Sequence, residues 1–373
     1  MASKVCKIIE PFGRSIVVKP VMRQLILFVA LVVVSVKTQA QLGGSYSFSF
    51  VNIEPTAKMA ALGGSTMASA GRDLSMAYFN PAMHDSSMHN TVQLSYNNYI
   101  ADINNGYASY ARHFKGIGTF SGHAIFNEYG RFDETDITGK KIGEFGANDY
   151  VFQISYSQIY EKDPRFTYGA SIKFLYSDYE KYIATAFAVD GGIAFHNPEK
   201  LFHASLLMRN LGYNAIPYEV ERVDLPFDVQ LGFSKKLAHN PLRLSIVAHD
   251  LQKLDISYIN VNKRNKNINL ETGEVQVDPV PFGDKVMRHF NFGAEFVFSD
   301  NFQLRGGYNH QRRKELAPEN AKGSTGFSWG VGIGIKKFMI DYAMVAYFPG
   351  VTTSMFSVSK NLSDFKRMRP ETL

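Results

Sequence analysis

From residue 91 onward the chain alternates. Phe152, Ile154 and Tyr156 are interleaved with Gln153, Ser155 and Ser157. Phe227, Val229, Leu231 and Phe233 are interleaved with Asp228, Gln230, Gly232 and Ser234. Phe290, Phe292, Ala294, Phe296 and Phe298 are interleaved with His289, Asn291, Gly293, Glu295 and Val297. Successive strand side chains point to opposite faces, so each segment has one apolar face and one polar or small face. Strands of soluble sandwiches run about 5–6 residues, whereas a strand that crosses a bilayer needs about 9–11. These segments have the longer length. Fourteen are counted, near 91–98, 106–114, 117–128, 148–160, 165–179, 182–197, 201–211, 226–237, 242–252, 286–299, 301–309, 326–335, 338–347 and 351–361. An even number is what a single-chain bacterial barrel requires.

The connections separate a barrel from a sandwich. Every second one is short and turn-like, such as Lys115-Gly116, Asn197-Pro198-Glu199-Lys200, Ser299-Asp300-Asn301 and Lys336-Lys337. The longer ones, 129–147, 212–225, 253–285 and 310–325, all fall on the other parity. Short turns at one end and long loops at the other are the signature of a transmembrane barrel. The expected fold is therefore all-β: a closed antiparallel transmembrane β-barrel of about fourteen strands spanning 91–361, followed by a tail over 362–373.

Residues 41–90 alternate poorly. They carry Gly63-Gly64, the small run Ala68-Ser69-Ala70 and Asn80-Pro81-Ala82. They read as an N-terminal plug inside or under the lumen. An unstructured periplasmic tail is the other reading, against which stand the apolar Leu62, Met67, Met76, Tyr78 and Phe79.

The first forty residues read as an address. Leu25 to Val36 is an apolar run of twelve, preceded by Arg23 and followed by Thr38-Gln39-Ala40. A basic flank, a short apolar core and a small residue make a secretory signal. A membrane helix would need about 20 residues. Residues 1–40 are expected to be removed, with Met22 a possible true start, and the mature chain then begins near Gln41.

Composition changes the picture in two places. Residues 1–40 hold six of the 40 basic residues and one of the 34 acidic ones, which leaves 34 and 33, a net charge of +1 on the mature chain. Such a chain has no global attraction to nucleic acid. The single cysteine, Cys6, lies in the same segment, so neither a disulfide nor a thiolate metal site is expected in the mature protein. No catalytic residue, metal ligand or cofactor is expected.

Four segments carry residues that could hold chemistry. Gly330, Gly332 and Gly334 fail the dinucleotide fingerprint because Ile335 stands where the third glycine belongs; glycines two apart read instead as a close-approach stripe on one strand face. His84, Asp85 and His89 lack the H-E-x-x-H spacing and read as solvated or plug-packing side chains. Ser245, His249 and Asp250 do not form a hydrolase arrangement, since on a strand Asp250 faces away from the other two. Arg312-Arg313-Lys314 reads as a solvated outer-loop run, with attraction to an anionic partner as the minority reading.

Residues 50–64, F-V-N-I-E-P-T-A-K-M-A-A-L-G-G, and 71–82, G-R-D-L-S-M-A-Y-F-N-P-A, resemble the opening of a family of outer-membrane components of the type IX secretion system of Bacteroidetes. The wider group resembles the FadL fatty-acid transporters, fourteen-stranded barrels with an N-terminal plug. Asn80-Pro81-Ala82 matches the tripeptide that group shares before its first strand. M-R-N-L-G (208–212) and A-H-D-L (248–251) sit where such barrels carry similar motifs. The resemblance covers residues 42–373. It implies that Asn80, Pro81, Ala82, Gly63 and Gly64 are structural motif residues. It also implies a non-enzymatic role anchoring a surface attachment complex, with a PorZ-like surface protein, PorU-like sortase and PorV-like barrel as partners and lipopolysaccharide alongside. The alternative implied is a FadL-like transporter of hydrophobic small molecules.

Overall fold

The computed structural model describes residues 46–64, 73–100, 103–218, 223–257, 280–317 and 323–366. The signal-like segment 1–40 lies outside them, as does 367–373 of the tail.

The alternating segments form fourteen strands among the described residues. They are β1 (Thr91–Asn98), β2 (Asn104–Phe114), β3 (Gly118–Thr135), β4 (Lys141–Ile159), β5 (Phe166–Tyr179), β6 (Tyr182–Asn197) and β7 (Phe202–Ile216). The series continues with β8 (Asp228–Lys236), β9 (Leu242–Ala248), β10 (Phe290–Ser299), β11 (Phe302–Asn309), β12 (Phe327–Ile335), β13 (Phe338–Phe348) and β14 (Val351–Asn361). Each pairs antiparallel with its neighbour in sequence, and β1 closes on β14 from Thr91↔Asn361 to Asn98↔Ser354. Closure satisfies the backbone groups of both edges internally, which is what lets strands cross hydrocarbon. No described helix is long and apolar enough to cross a membrane.

The pleat is inverted relative to a soluble protein. Ile154 is 70% exposed while Ser155 next to it is fully buried. Ile172 and Lys173 repeat the contrast. The apolar face points out and the polar face lines the lumen. Near the short turns the outward rings touch in series: Phe114 with Phe120 (centroids 5.9 Å apart), Phe120 with Tyr156 (4.9 Å), Phe166 with Phe195 (5.0 Å) and Phe298 with Phe302 (5.7 Å). An apolar belt bordered by such a girdle is the outer surface of a membrane barrel.

The expected strands differ from the observed ones mostly at the end opposite the short turns. Residues 129–135 and 141–147, read as loop, extend β3 and β4 into a protruding hairpin. Residues 286–289, read as the start of a strand, complete helix α3 (below). Residues 249–252 are a turn, because Asp250 takes a left-handed φ of 54° that no strand continues through.

A fourteen-stranded wall encloses more space than its own side chains fill, since about eight strands is the size at which they suffice. Residues 46–64 and 73–90 occupy that space, carrying α1 (Ala57–Ala61), α2 (Leu74–Phe79) and three 3-10 turns. Two helices stand on the long-loop end, α3 (Phe282–Arg288) before β10 and α4 (His310–Leu316) after β11; α5 (Ser363–Lys366) follows β14.

Candidate functional site

The candidate site is the seat of the plug and the outer-end structure it ties together. Its sequence logic is the use of small residues. Gly63 and Gly64 end α1 with φ of 92° and 112°, a conformation that costs a residue with a Cβ far more than glycine. There the chain runs against the wall at Gly307, whose missing side chain is where the Gly63 amide lies. A Cβ on Gly330 would sit 2.6 Å from that of Ala61. The glycine stripe of β12 is thus a close-approach stripe: Gly330 receives the plug, and Gly332 gives room to Asp341 and Arg305.

Asn80, Pro81 and Ala82 make the second seat. The Asn80 amide ends α2 by donating to Met76 O (2.7 Å), while its side-chain oxygen accepts from Ala82 N (3.0 Å) and starts the next turn. Pro81 stands at the first position of that turn, where no amide hydrogen is needed. The tripeptide lies against two wall glycines. A Cβ on Gly169 would be 2.5 Å from the Pro81 carbonyl carbon, and Gly192 has the Asn80 side chain where its own would be. Sequence reasoning treated the five residues as motif positions; the structure sets them at two contact patches, Gly63-Gly64 on β10–β11 and Asn80-Pro81-Ala82 on β5–β6.

Charges complete the seat. Arg312 Nη2 donates to Glu54 Oε1 (2.5 Å), its guanidinium lies 4.5 Å from the Tyr347 ring centre, and the Tyr347 hydroxyl donates to Glu54 Oε2 (3.0 Å). The expectation of a solvated Arg312 is corrected here: its side chain is only 9% exposed, and although burial by itself would lower its pKa, the Glu54 carboxylate beside it holds it above the usual value. Arg313 caps the Thr325 carbonyl (3.0 Å) and Lys314 pairs with Asp284 (2.8 Å). On the opposite wall Lys173 pairs with Asp190 (2.8 Å) below the Tyr78 ring, and Arg209 stacks 3.8 Å from the Phe79 ring centre.

The two further motifs share one device. Asn210 and Asp250 both adopt φ of 54°. The Asn210 amide donates to Asp190 Oδ1 (2.8 Å) and the Asp250 amide to Asp228 Oδ1 (2.7 Å). The turned Asp250 side chain then reaches His249 Nδ1 (2.9 Å), so strand alternation, which set them on opposite faces, does not govern this pair. Ser245 stays apart from them and donates to Gly293 O (3.3 Å). His84 is buried in the plug, 2.9 Å from Pro81 O and 2.5 Å from Ser121 Oγ; burial pushes its pKa down to about 4. Asp85 caps the turn at Ser87 (2.7 Å), and His89 lies against the His113 backbone. These residues serve packing and capping.

At the long-loop end Asp284 of α3 is a hub. It accepts from Arg288 (3.1 Å), Lys314 (2.8 Å) and His310 (2.9 Å), the last two from α4. Burial alone would raise its pKa, but Lys314, His310 and Arg288 hold it down at about 2. Beside this latch Phe282 is 81% exposed and Leu254 is 94% exposed.

Sequence reasoning missed Glu54, Lys173, Asp190 and Asp284. A signal existed for Lys173 and Asp190: a charge inside an alternating strand cannot face hydrocarbon and must face the lumen.

No family model and no curated protein matches the sequence. Among solved structures, the toluene transporter TodX of Pseudomonas putida is similar at 11% identity, over 83% of this chain and 99% of that one, with a TM-score of 0.48. A Pseudomonas aeruginosa FadL homologue is similar at 11% identity, over 82% of this chain and 97% of that one, with a TM-score of 0.44.

Proposed function

We propose that the chain is a non-enzymatic barrel of the bacterial outer membrane that anchors a cell-surface complex through its outer-end loops. The observation that carries this reading is a plug fastened to the wall at several places, beneath two helices of the long-loop end that are latched to each other. The plug's Val51, Ala57, Met59, Ala61, Leu74, Ala77 and Tyr78 have no exposed surface. Its upper arm is tied by Glu54 to Arg312 of α4, and α4 is latched to α3 by Asp284. A protein interface needs roughly 800 Å² per partner, which the long connections can present and the short turns cannot. The exposed Phe282 and Leu254 suit apolar anchors of such an interface.

The opening residues resemble PorQ, and on that resemblance the partners are a PorZ-like surface protein with PorU-like and PorV-like components of a type IX secretion system, next to lipopolysaccharide. The test is affinity purification from native membranes. Co-purification of a surface protein and a sortase is the expected outcome; recovery of the barrel alone under mild detergent contradicts it.

A second reading, a FadL-like transporter of hydrophobic small molecules, draws on one lapse in the wall. β7 pairs with β8 only as far as Arg209↔Asp228, although β7 continues to Ile216. Behind that lapse Leu225 belongs to an apolar cluster with Phe48, Phe50 and Phe79. Loss of hydrophobic-compound uptake on deletion, with surface proteins retained, would favour it over anchoring.

A further inference from the structure

Between the plug and the short turns, the β8–β14 side of the lumen is not filled. A cavity of about 710 Å³ opens there toward the short-turn end, lined by seven basic and four acidic side chains. We propose that this chamber is a binding site for an anionic oxygen ligand, a phosphate or carboxylate group on a soluble molecule that enters from the compartment the short turns face.

Three of the lining cations stand in a row with Glu295. Strand register sets Lys236 opposite Arg243, Arg243 opposite Glu295, and Glu295 opposite Arg305, so three cations and one carboxylate share one level of the inner wall. Lys58 of α1 reaches the same carboxylate from the plug (3.8 Å). Glu295 is thereby spent on Arg243 (2.7 Å), Arg305 (3.0 Å) and Lys58, and Asp341 is taken by Arg305 (2.5 Å). At the mouth, which Asp300 and Asp364 also line, Lys337 Nζ donates to the Asp364 carbonyl (3.2 Å), and among the described residues no carboxylate pairs with Lys236, Lys336 or Lys337. Like charges directly opposite on a sheet, as Lys236 and Arg243 are, destabilise it unless something negative lies between them.

The β12–β13 turn gives a second, independent indication. Lys336 and Lys337 are its two central residues, with φ of 46° and 73°. Two successive left-handed residues are the geometry for which Asn-Gly is preferred, and side chains with a full Cβ bear strain there. The chain keeps two lysines at this strained turn, and both line the chamber. A cationic pocket closed above by the plug and open on one side concentrates anions, and its ammonium donors match phosphate and carboxylate oxygens.

The experiment uses the full mature chain in detergent, with inorganic pyrophosphate as the probe in titration calorimetry. The variant combines Lys336→Asn with Lys337→Gly, residues the turn itself favours, so that folding is kept or improved while two charges are removed. Saturable binding is expected, weakened about tenfold or more in the variant, as loss of a charge-assisted hydrogen bond implies. Lys181→Ser, at the turn between β5 and β6 on the other end of the barrel, should leave binding unchanged. Absence of saturable binding, or equal affinity in the double variant with its thermal stability intact, overturns the proposal. Nanodiscs distinguish the sources of the anion. Equal pyrophosphate affinity in phosphatidylcholine and phosphatidylglycerol discs supports a soluble ligand; displacement of pyrophosphate by phosphatidylglycerol would assign the site to a lipid headgroup and overturn the soluble one.

Discussion

Along β2–β6 the plug meets the wall mostly through rings and aliphatic side chains, with Tyr78 and Phe79 packed among Tyr107, Ile125, Val151 and Leu175, and the ion pair there, Lys173 with Asp190, is fully enclosed. Along β9–β13 the side chain that α1 sends toward the short-turn end, Lys58, meets Glu295 in a net of arginines above an open cavity. The two sides differ in what packing leaves behind. Apolar side chains interlock and exclude water, so that side fixes the plug's position. Buried charges need several partners each, and on that side the charge net stands beside the open chamber while small residues, Ala57, Ala60 and Ala61, hold the plug close.

The contrast can be broken by substitution. Tyr78→Ala removes a fully buried ring from the packed side and should cost about 3–5 kcal/mol in equilibrium unfolding in micelles. Gly192→Val forces a side chain into the place of Asn80; overpacking of this kind should cost about 1–3 kcal/mol and should also expose the plug to protease. Glu295→Gln removes the shared carboxylate on the charged side. The cations it leaves behind, Lys58, Arg243 and Arg305, line the chamber and can be reached from it, so the cost should be less than that of Tyr78→Ala, below the ~3–5 kcal/mol of breaking a dry ion pair. A cost equal to that of Tyr78→Ala would show a dry chamber and end the distinction.

The smallest effect is expected at the latch between α3 and α4. The Asp284 carboxyl is held at about 2, below its ordinary value of 3.8. A depressed acid contributes stability that is full above its unfolded pKa and is lost as pH falls through the folded one. Hydrogen-exchange protection in 282–288 and 310–316, relative to the intrinsic rate at each pH, should therefore be high at neutral pH and fall as pH drops from about 4 to 2. Asp284→Asn should give the low protection at neutral pH.

Much of the wall was legible because alternation has period two and the turns have parity. Which face is inward was not read from alternation, since Phe152 and Gln153 repeat alike in a sandwich or a barrel; the charges Lys173, Asp190, Glu295 and Arg305 carry that information. The plug seats were legible as small residues without partners. Their partners, Gly169, Gly192 and Gly307, are far away in sequence, and closing a barrel brings them together. The outer helices were hidden for a local reason. Each is seven residues long, too short to show a helical period, although Asn309 accepts from Arg312 N as an N-cap (2.8 Å).

Anchoring by the outer loops is tested most directly by shortening the connection 253–285 and fractionating cells. The barrel should remain in the membrane, still changing its gel mobility on boiling, while the surface protein and sortase-cleaved cargo appear in the medium. Retention of both on the cell, with uptake of hydrophobic compounds reduced instead, would contradict anchoring.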